Sequence, residues 1–207
     1  MYCKPCAGIT PPNQMKKILA ISSFFSTMRI PILQDGIVMK PLPLFCFGSL
    51  MDWDVLTVVL GCFPTELSMV PAQLPGHRVA KLPHESYPML VADEDRQAPG
   101  QLLIGLTESQ LDRVIFFEGE EYQLSPCVVT LDNGSQQNAL FFSEGIMPTP
   151  EMGDWDFHQW RNAHKDHLLR QSAAYMAYYG KMSAQEADYY WQTYSEEPYL
   201  PPLAAVG

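Results

Sequence analysis

The chain of 207 residues has no apolar run approaching the ~20 residues that a membrane-crossing helix needs. Basic residues are few: 13 Lys and Arg stand against 23 Asp and Glu, a formal net charge of -10. That deficit argues against a protein that tracks nucleic-acid phosphates. Cysteine is sparse, odd in number and scattered, at Cys3, Cys6, Cys46, Cys62 and Cys127. Such spacing does not build a disulfide framework, and a reducing, cytoplasmic setting is the expectation. Cys3 and Cys6 have the interval of a metal or redox pair. No second pair or strand–helix context accompanies them, so no metal and no cofactor are assigned. Hydrophobic residues make up 47% of the chain and charged ones 17%, which suits one domain with a proper core.

Residues 1–38 differ from the rest. They hold Cys3-Lys4-Pro5-Cys6, Pro11-Pro12 and a short apolar run, Ile18 to Phe25, behind Lys16-Lys17. The outline is that of a signal peptide, yet the run is short, broken by serines and without a small-residue cleavage site. The expectation is a disordered extension, with Met39 a natural start for the domain of residues 39–197. Residues 198–207, rich in proline and alanine, read as a loose tail.

Within the domain, Leu42 to Phe47 reads as a strand. Asp52 caps a helix that runs to Leu60 and stops at Gly61. Short strand-like runs follow at Leu67–Leu74, His77–Leu82, Pro88–Val91 and Gln101–Leu106. Thr107-Glu108-Ser109-Gln110 is a capping box that starts a helix to about Phe116. Tyr122–Leu131 and Asn138–Ser143 flank Asp132-Asn133-Gly134, a hairpin turn. Asp154 is expected to cap a long helix ending near Gly180, and Ser183-Ala184-Gln185-Glu186 opens a shorter one. The class is therefore α+β: a small curved sheet or mixed β-barrel with helices outside it.

Two distant segments carry chemistry. Phe47-Gly48-Ser49-Leu50-Met51 is a glycine turn between a strand and a helix, which leaves backbone N–H groups free to bind an anion. Phe117-Glu118-Gly119 sets a carboxyl at the end of an apolar run, where desolvation raises its pKa toward the range of proton transfer. If one substrate touches both, they should lie within ~5 Å of each other. Asp52 and Asp54 would repel an anion and should point away. Cys127 has no local histidine partner and reads as a small core residue. His164 and His167 share a helix face as metal ligands can, but no third ligand converges on them. The aromatic residues Trp155 to Tyr178 are expected to pack against the barrel, with a wall of the pocket as a further role.

In their order and spacing, Phe47-Gly48-Ser49-Leu50, Tyr87-Pro88 and Phe117-Glu118-Gly119 with Tyr122 resemble the gamma-glutamylcyclotransferase superfamily, in its AIG2-like or gamma-glutamylamine-cyclotransferase-like branch. The resemblance covers roughly residues 41 to 145, weighed as a set of short motifs. It implies a small mixed barrel, a pocket over Gly48, Ser49 and Leu50, and one essential glutamate matching Glu118. Phe47 and Tyr122 would join those three in holding the substrate. The implied partner is a small γ-glutamyl compound, with no nucleic acid and no membrane. The implied reaction is attack of the substrate's α-amine on its own γ-carbonyl, giving 5-oxoproline and a released amine or amino acid. Three positions depart from the pattern: Phe47 replaces a tyrosine, Ile115 an aspartate and Leu124 an arginine. These departures motivate a second reading, a non-catalytic binding module that kept the pocket. A third is a γ-glutamyl acyltransferase, which needs the same cradle and the same proton shuttle.

Overall fold

The computed structural model describes residues 41–82, 85–119, 122–144 and 153–194. The expectations for residues 1–38, including Cys3 and Cys6, and for residues 198–207 lie outside these. Five strands form a closed barrel: β1 (Leu44–Cys46), β2 (Ser68–Lys81), β3 (Pro88–Ile104), β4 (Tyr122–Leu131) and β5 (Gln136–Glu144), in the order β1-β3-β2-β4-β5. Four α-helices accompany them: α1 (Trp53–Leu60), α2 (Glu108–Glu118), α3 (Phe157–Met176) and α4 (Ala184–Tyr194). A single 3-10 turn, Ser49–Met51, links β1 to α1.

Closure falls to β1. It pairs antiparallel with β3, Phe45 opposite Leu102, and parallel with β5, Leu44 opposite Leu140. All three of its residues are buried. Alternation along the strands sorts the core into two layers. Phe45, Leu74, Leu102, Val129 and Ala139, drawn from strands alone, fill the barrel. Leu44, Cys46, Leu103 and Phe142 face outward and are covered by Val55, Leu56 and Val59 of α1, Val114 of α2, and Trp160 and Leu169 of α3. Gly100 permits the closure. A Cβ there would sit 2.4 Å from the Cys46 carbonyl oxygen and 2.6 Å from the Phe45 ring.

The four short strands expected between Leu67 and Leu106 are two long ones. The break at Pro75-Gly76 does not end the strand: the register steps from Pro75 opposite Gln97 to His77 opposite Ala92, so Gly76, at φ +72°, stands across from the four residues Asp93–Arg96 of β3. The polar run Asp93–Arg96 on the other strand is held by charge, with Arg78 3.7 Å from Asp93 and Arg96 2.6 Å from Asp154. This ion cluster also displaces the expected helix cap. Asp154 is paired with the arginines and forms a bridge to Ala80, so the chain is still extended there. Asp156 caps α3 instead, accepting from the Gln159 N–H at 2.7 Å.

Other local signals act as written. Thr107 and Gln110 form the capping box of α2, although the helix runs on from Phe116 to Glu118. Ser183 and Glu186 make the equivalent pair for α4. Gly61, at φ +71°, ends α1. Asp52 caps α1 through bonds from the Asp54 and Val55 N–H groups, at 2.9 and 3.4 Å. The same carboxylate, buried, meets Arg161 at 3.0 Å and Lys165 at 2.9 Å, both on α3. Burial works to lower the Lys165 pKa, but its bonds to Asp54 and Asp52 win and hold it above its ordinary value. Asp52→Ala removes a cap worth ~1 kcal/mol, strips Arg161 of its carboxylate and leaves Lys165 with Asp54 alone. Urea denaturation should show a loss of about 2–4 kcal/mol, with Asp52→Asn losing less because an amide oxygen still caps.

Candidate active site

The chain leaves β1 at Cys46 and turns at once. Met51 N–H donates to the Gly48 carbonyl at 3.1 Å and Asp52 N–H to the Ser49 carbonyl at 3.0 Å, which fixes the 3-10 turn. The first N–H groups of such a turn have no partner within it. Those of Gly48, Ser49 and Leu50 donate no bond to another backbone group among the described residues. Gly48 has φ −133°, so it is not needed for a left-handed conformation. Close packing requires it instead, because a Cβ would lie 3.2 Å from Pro88 Cγ. The Gly-Ser-Leu and Tyr-Pro segments are thus joined by contact.

A cavity of about 310 Å³ opens over this turn, within the size range of small-molecule sites. Phe47, Gly48, Ser49 and Leu50 line it together with Glu118, Gly119 and Tyr122. Tyr87 and Pro88 lie on the same wall. All six residues singled out from the sequence therefore face one space. Asp52 and Asp54 lie outside it, taken up by Arg161 and Lys165. Ile115 and Leu124, two of the departures, pack on the outer core and do not line the cavity. Cys127 is half-buried against the barrel interior, and burial pushes its thiol up to about 11. His164 and His167 ride on α3 away from the lining.

Glu118 is the last residue of α2, and Gly119 turns the chain sharply behind it at φ +75°. Burial pushes its carboxyl from 4.5 up to about 7. No hydrogen bond among the described residues ties the side chain down. Nearby, burial first and the Glu118 charge second raise the Cys46 thiol far above its ordinary value. Cys46 is accordingly a packed side chain rather than a nucleophile. A carboxyl that is half ionised near neutral pH can both take and return a proton. Unpaired amides beside it can hold a carboxylate or a developing oxyanion.

The sequence reading offered the aromatic helix as a wall of the pocket, which Tyr175 meets, but it missed Gln171, Ser172 and all of α4. One face of α3 supplies Leu168, Gln171, Ser172 and Tyr175, and one face of α4 supplies Asp188, Trp191 and Gln192. Tyr175 donates its hydroxyl hydrogen to Asp188 at 2.5 Å, and its ring packs on Phe116 of α2. Gly119 leaves room for Asp188, since a Cβ there would be 3.0 Å from Oδ2. The available signal was spacing: 168, 171, 172 and 175 share one helix face.

The sequence pattern described as "Gamma-glutamyl cyclotransferase, AIG2-like" matches residues 44–157. The chain belongs to that family. It is 31% identical to Protein AIG2 B of Arabidopsis thaliana over 134 residues, 64% of this chain and 78% of that one. AIG2-like protein B of the same plant is 31% identical over 123 residues, 58% and 70% of the two chains. The solution structure of an Arabidopsis thaliana protein superposes with a TM-score of 0.51 at 25% identity, covering 69% of this chain and 86% of that one. A second, also from Arabidopsis thaliana, gives 0.50 at 27%, covering 65% and 90%. The barrel agrees with family membership, and that membership suggests a cyclotransferase-like activity.

Glu118 also sets a stability test. Its folded-state pKa lies above 4.5, so between pH 4.5 and about 7 the folded chain binds more protons than the unfolded one. Its contribution is fully present below 4.5 and is lost as pH rises through about 7. Glu118→Gln removes that dependence. The unfolding free energy of the variant relative to the parent, measured by urea denaturation, should climb across this window, reaching a gain on the order of 3 kcal/mol at most.

Proposed function

We propose that the protein is an enzyme that cyclises γ-glutamyl compounds, releasing 5-oxoproline and an amine or amino acid. The observation that carries this reading is the Glu118 carboxyl, raised to about 7 by burial in the wall it shares with Gly48, Ser49 and Leu50. The unpaired amides would hold the glutamyl α-carboxylate, or the γ-carbonyl oxygen as it gains charge. Phe47 and Tyr122 would bracket the glutamyl carbon chain.

The chemistry needs a group that carries protons from one nitrogen to another. The substrate's α-ammonium cannot attack until a base takes a proton from it, and Glu118 as carboxylate is that base. The freed amine adds to the γ-carbonyl carbon, forming the ring C–N bond. As the tetrahedral centre collapses, Glu118 returns the first proton to the leaving nitrogen, the bond to that nitrogen breaks, and the ring nitrogen's second proton passes through the same carboxylate to the released amine, which departs as an ammonium. Atoms and charge balance without a further reactant. Because the nucleophile is tethered to its target, holding a folded conformer supplies much of the acceleration. A half-buried carboxyl in the cavity wall, rather than one exposed outside it, supports this reading over a binding module.

Release of 5-oxoproline from a panel of γ-glutamyl compounds is the direct test. Glu118→Gln should fold and still bind a γ-glutamyl compound, while turnover falls at least ~100-fold. Glu108→Gln, an exposed change in the first turn of the same helix, should alter turnover only a few-fold. In the parent enzyme kcat/KM should rise with pH along a limb near 7. Full turnover in Glu118→Gln would remove the mechanism.

A further inference from the structure

Ser172 is 1% exposed, lines the cavity, and its hydroxyl has no hydrogen-bond partner among the described residues. A serine inside a helix ordinarily turns its hydroxyl to a carbonyl one turn back. Here that bond is not made, and a buried hydroxyl left unmet costs stability. At a cavity wall the partner of such a hydroxyl is supplied by ordered water or by a ligand that displaces it. Ser172 is also not isolated. Gln171 and Tyr175 flank it on α3, and Asp188, Trp191 and Gln192 face the same space from α4. These are neutral hydrogen-bonding groups, aromatic surface and a carboxylate engaged by Tyr175. No Lys, Arg or His lines the cavity among the described residues.

We infer that the faces of α3 and α4 turned to the cavity form the leaving-group subsite, in which the Ser172 hydroxyl hydrogen-bonds a neutral polar group on the departing amine. The inference rests on the proposed cyclisation, which assigns the turn at Gly48–Leu50 and Glu118 to the glutamyl half of the substrate. The helical wall is what remains for the other half. A hydroxyl or amide on the leaving group satisfies Ser172, whereas a second carboxylate would meet no cation there. Ser172 is then a specificity-determining residue, acting on binding of one half of the substrate and not on the proton. The family pattern ends at residue 157, so this wall lies beyond it.

Two probes of matched shape test the assignment: γ-glutamyl-ethanolamide, whose leaving amine ends in a hydroxyl, and γ-glutamyl-propylamide, which ends in a methyl. With the full chain, kcat/KM for 5-oxoproline release should favour the ethanolamide by roughly three- to tenfold, the effect of one neutral hydrogen bond. In Ser172→Ala the ratio should fall to about one, with the change in KM rather than kcat. The melting temperature of that variant should stay level or rise, because an unmet buried hydroxyl has been removed. Ser172→Thr, which keeps a hydroxyl, should retain part of the preference if it folds. An equal rate for both probes in the parent, or a preference that persists in Ser172→Ala, overturns the subsite and leaves the cyclisation standing. A fall of several degrees in Ser172→Ala with the ratio unchanged assigns Ser172 to the scaffold and also overturns it. If no γ-glutamyl compound yields 5-oxoproline, the cyclisation itself fails and the subsite falls with it.

Discussion

Three residues, Leu44, Phe45 and Cys46, close the barrel, and the position of everything around the cavity follows from how they are held. Hydrogen bonds to β3 on one side and to β5 on the other leave β1 no freedom to slide. A one-residue slip would also exchange Phe45, which fills the barrel, with Leu44 and Cys46, which face the helices. Gly100 lets the neighbouring strand come close enough for this pairing. The strand is short, so the chain is released from the ladder immediately beside the core. Its next amides, at Gly48 to Leu50, are therefore unpaired at a place where apolar walls keep water thin. Closing the sheet and baring those donors are two results of one geometry.

The same apolar surroundings act on Glu118. A helix end is ordinarily a wet place, where a glutamate titrates near its usual value. α2 instead delivers its final turn into the cavity wall, and Gly119 takes the chain away before any residue can offer a counter-charge. Cations of the helical layer are engaged elsewhere: Arg161 and Lys165 meet Asp52, and Arg113 of α2 donates to the Val59 carbonyl. The carboxyl in the cavity is left to desolvation alone. In the proposed mechanism that isolation is what poises one group to act as both base and acid.

Much of this was legible in the sequence because it is written in local chemistry. Asp52, Gly61, Thr107 with Gln110, and Asp132-Asn133-Gly134 each act within a few residues, and each did what its type dictates. The turn at Gly48 and the carboxyl at Glu118 were visible as paired motifs, and the cavity contains both. What sequence hid was long-range. Pro75-Gly76 reads as a break between two strands until Ala92 is known to lie across from His77, and then it is a register shift within one strand. Asp154 reads as a helix cap until Arg96 and Arg78 arrive from a distant hairpin to claim it. The wall made by Ser172 and Asp188 was hidden for the same reason: helix spacing says which residues share a face, but not what that face covers.

Asp52 deserves a last consequence of its geometry. Its backbone N–H fastens the turn that begins at Gly48, its carboxylate starts α1, and the same oxygens grip α3 four and eight residues downstream of its first turn's own start. The floor of the cavity and its helical wall are thereby pinned to one atom group, like the two arms of a pair of callipers on a single rivet. The spacing between them is therefore set in part by a residue that lies outside the cavity. A change at that rivet would be felt as altered selectivity and altered rate together, though no atom of Asp52 faces that space.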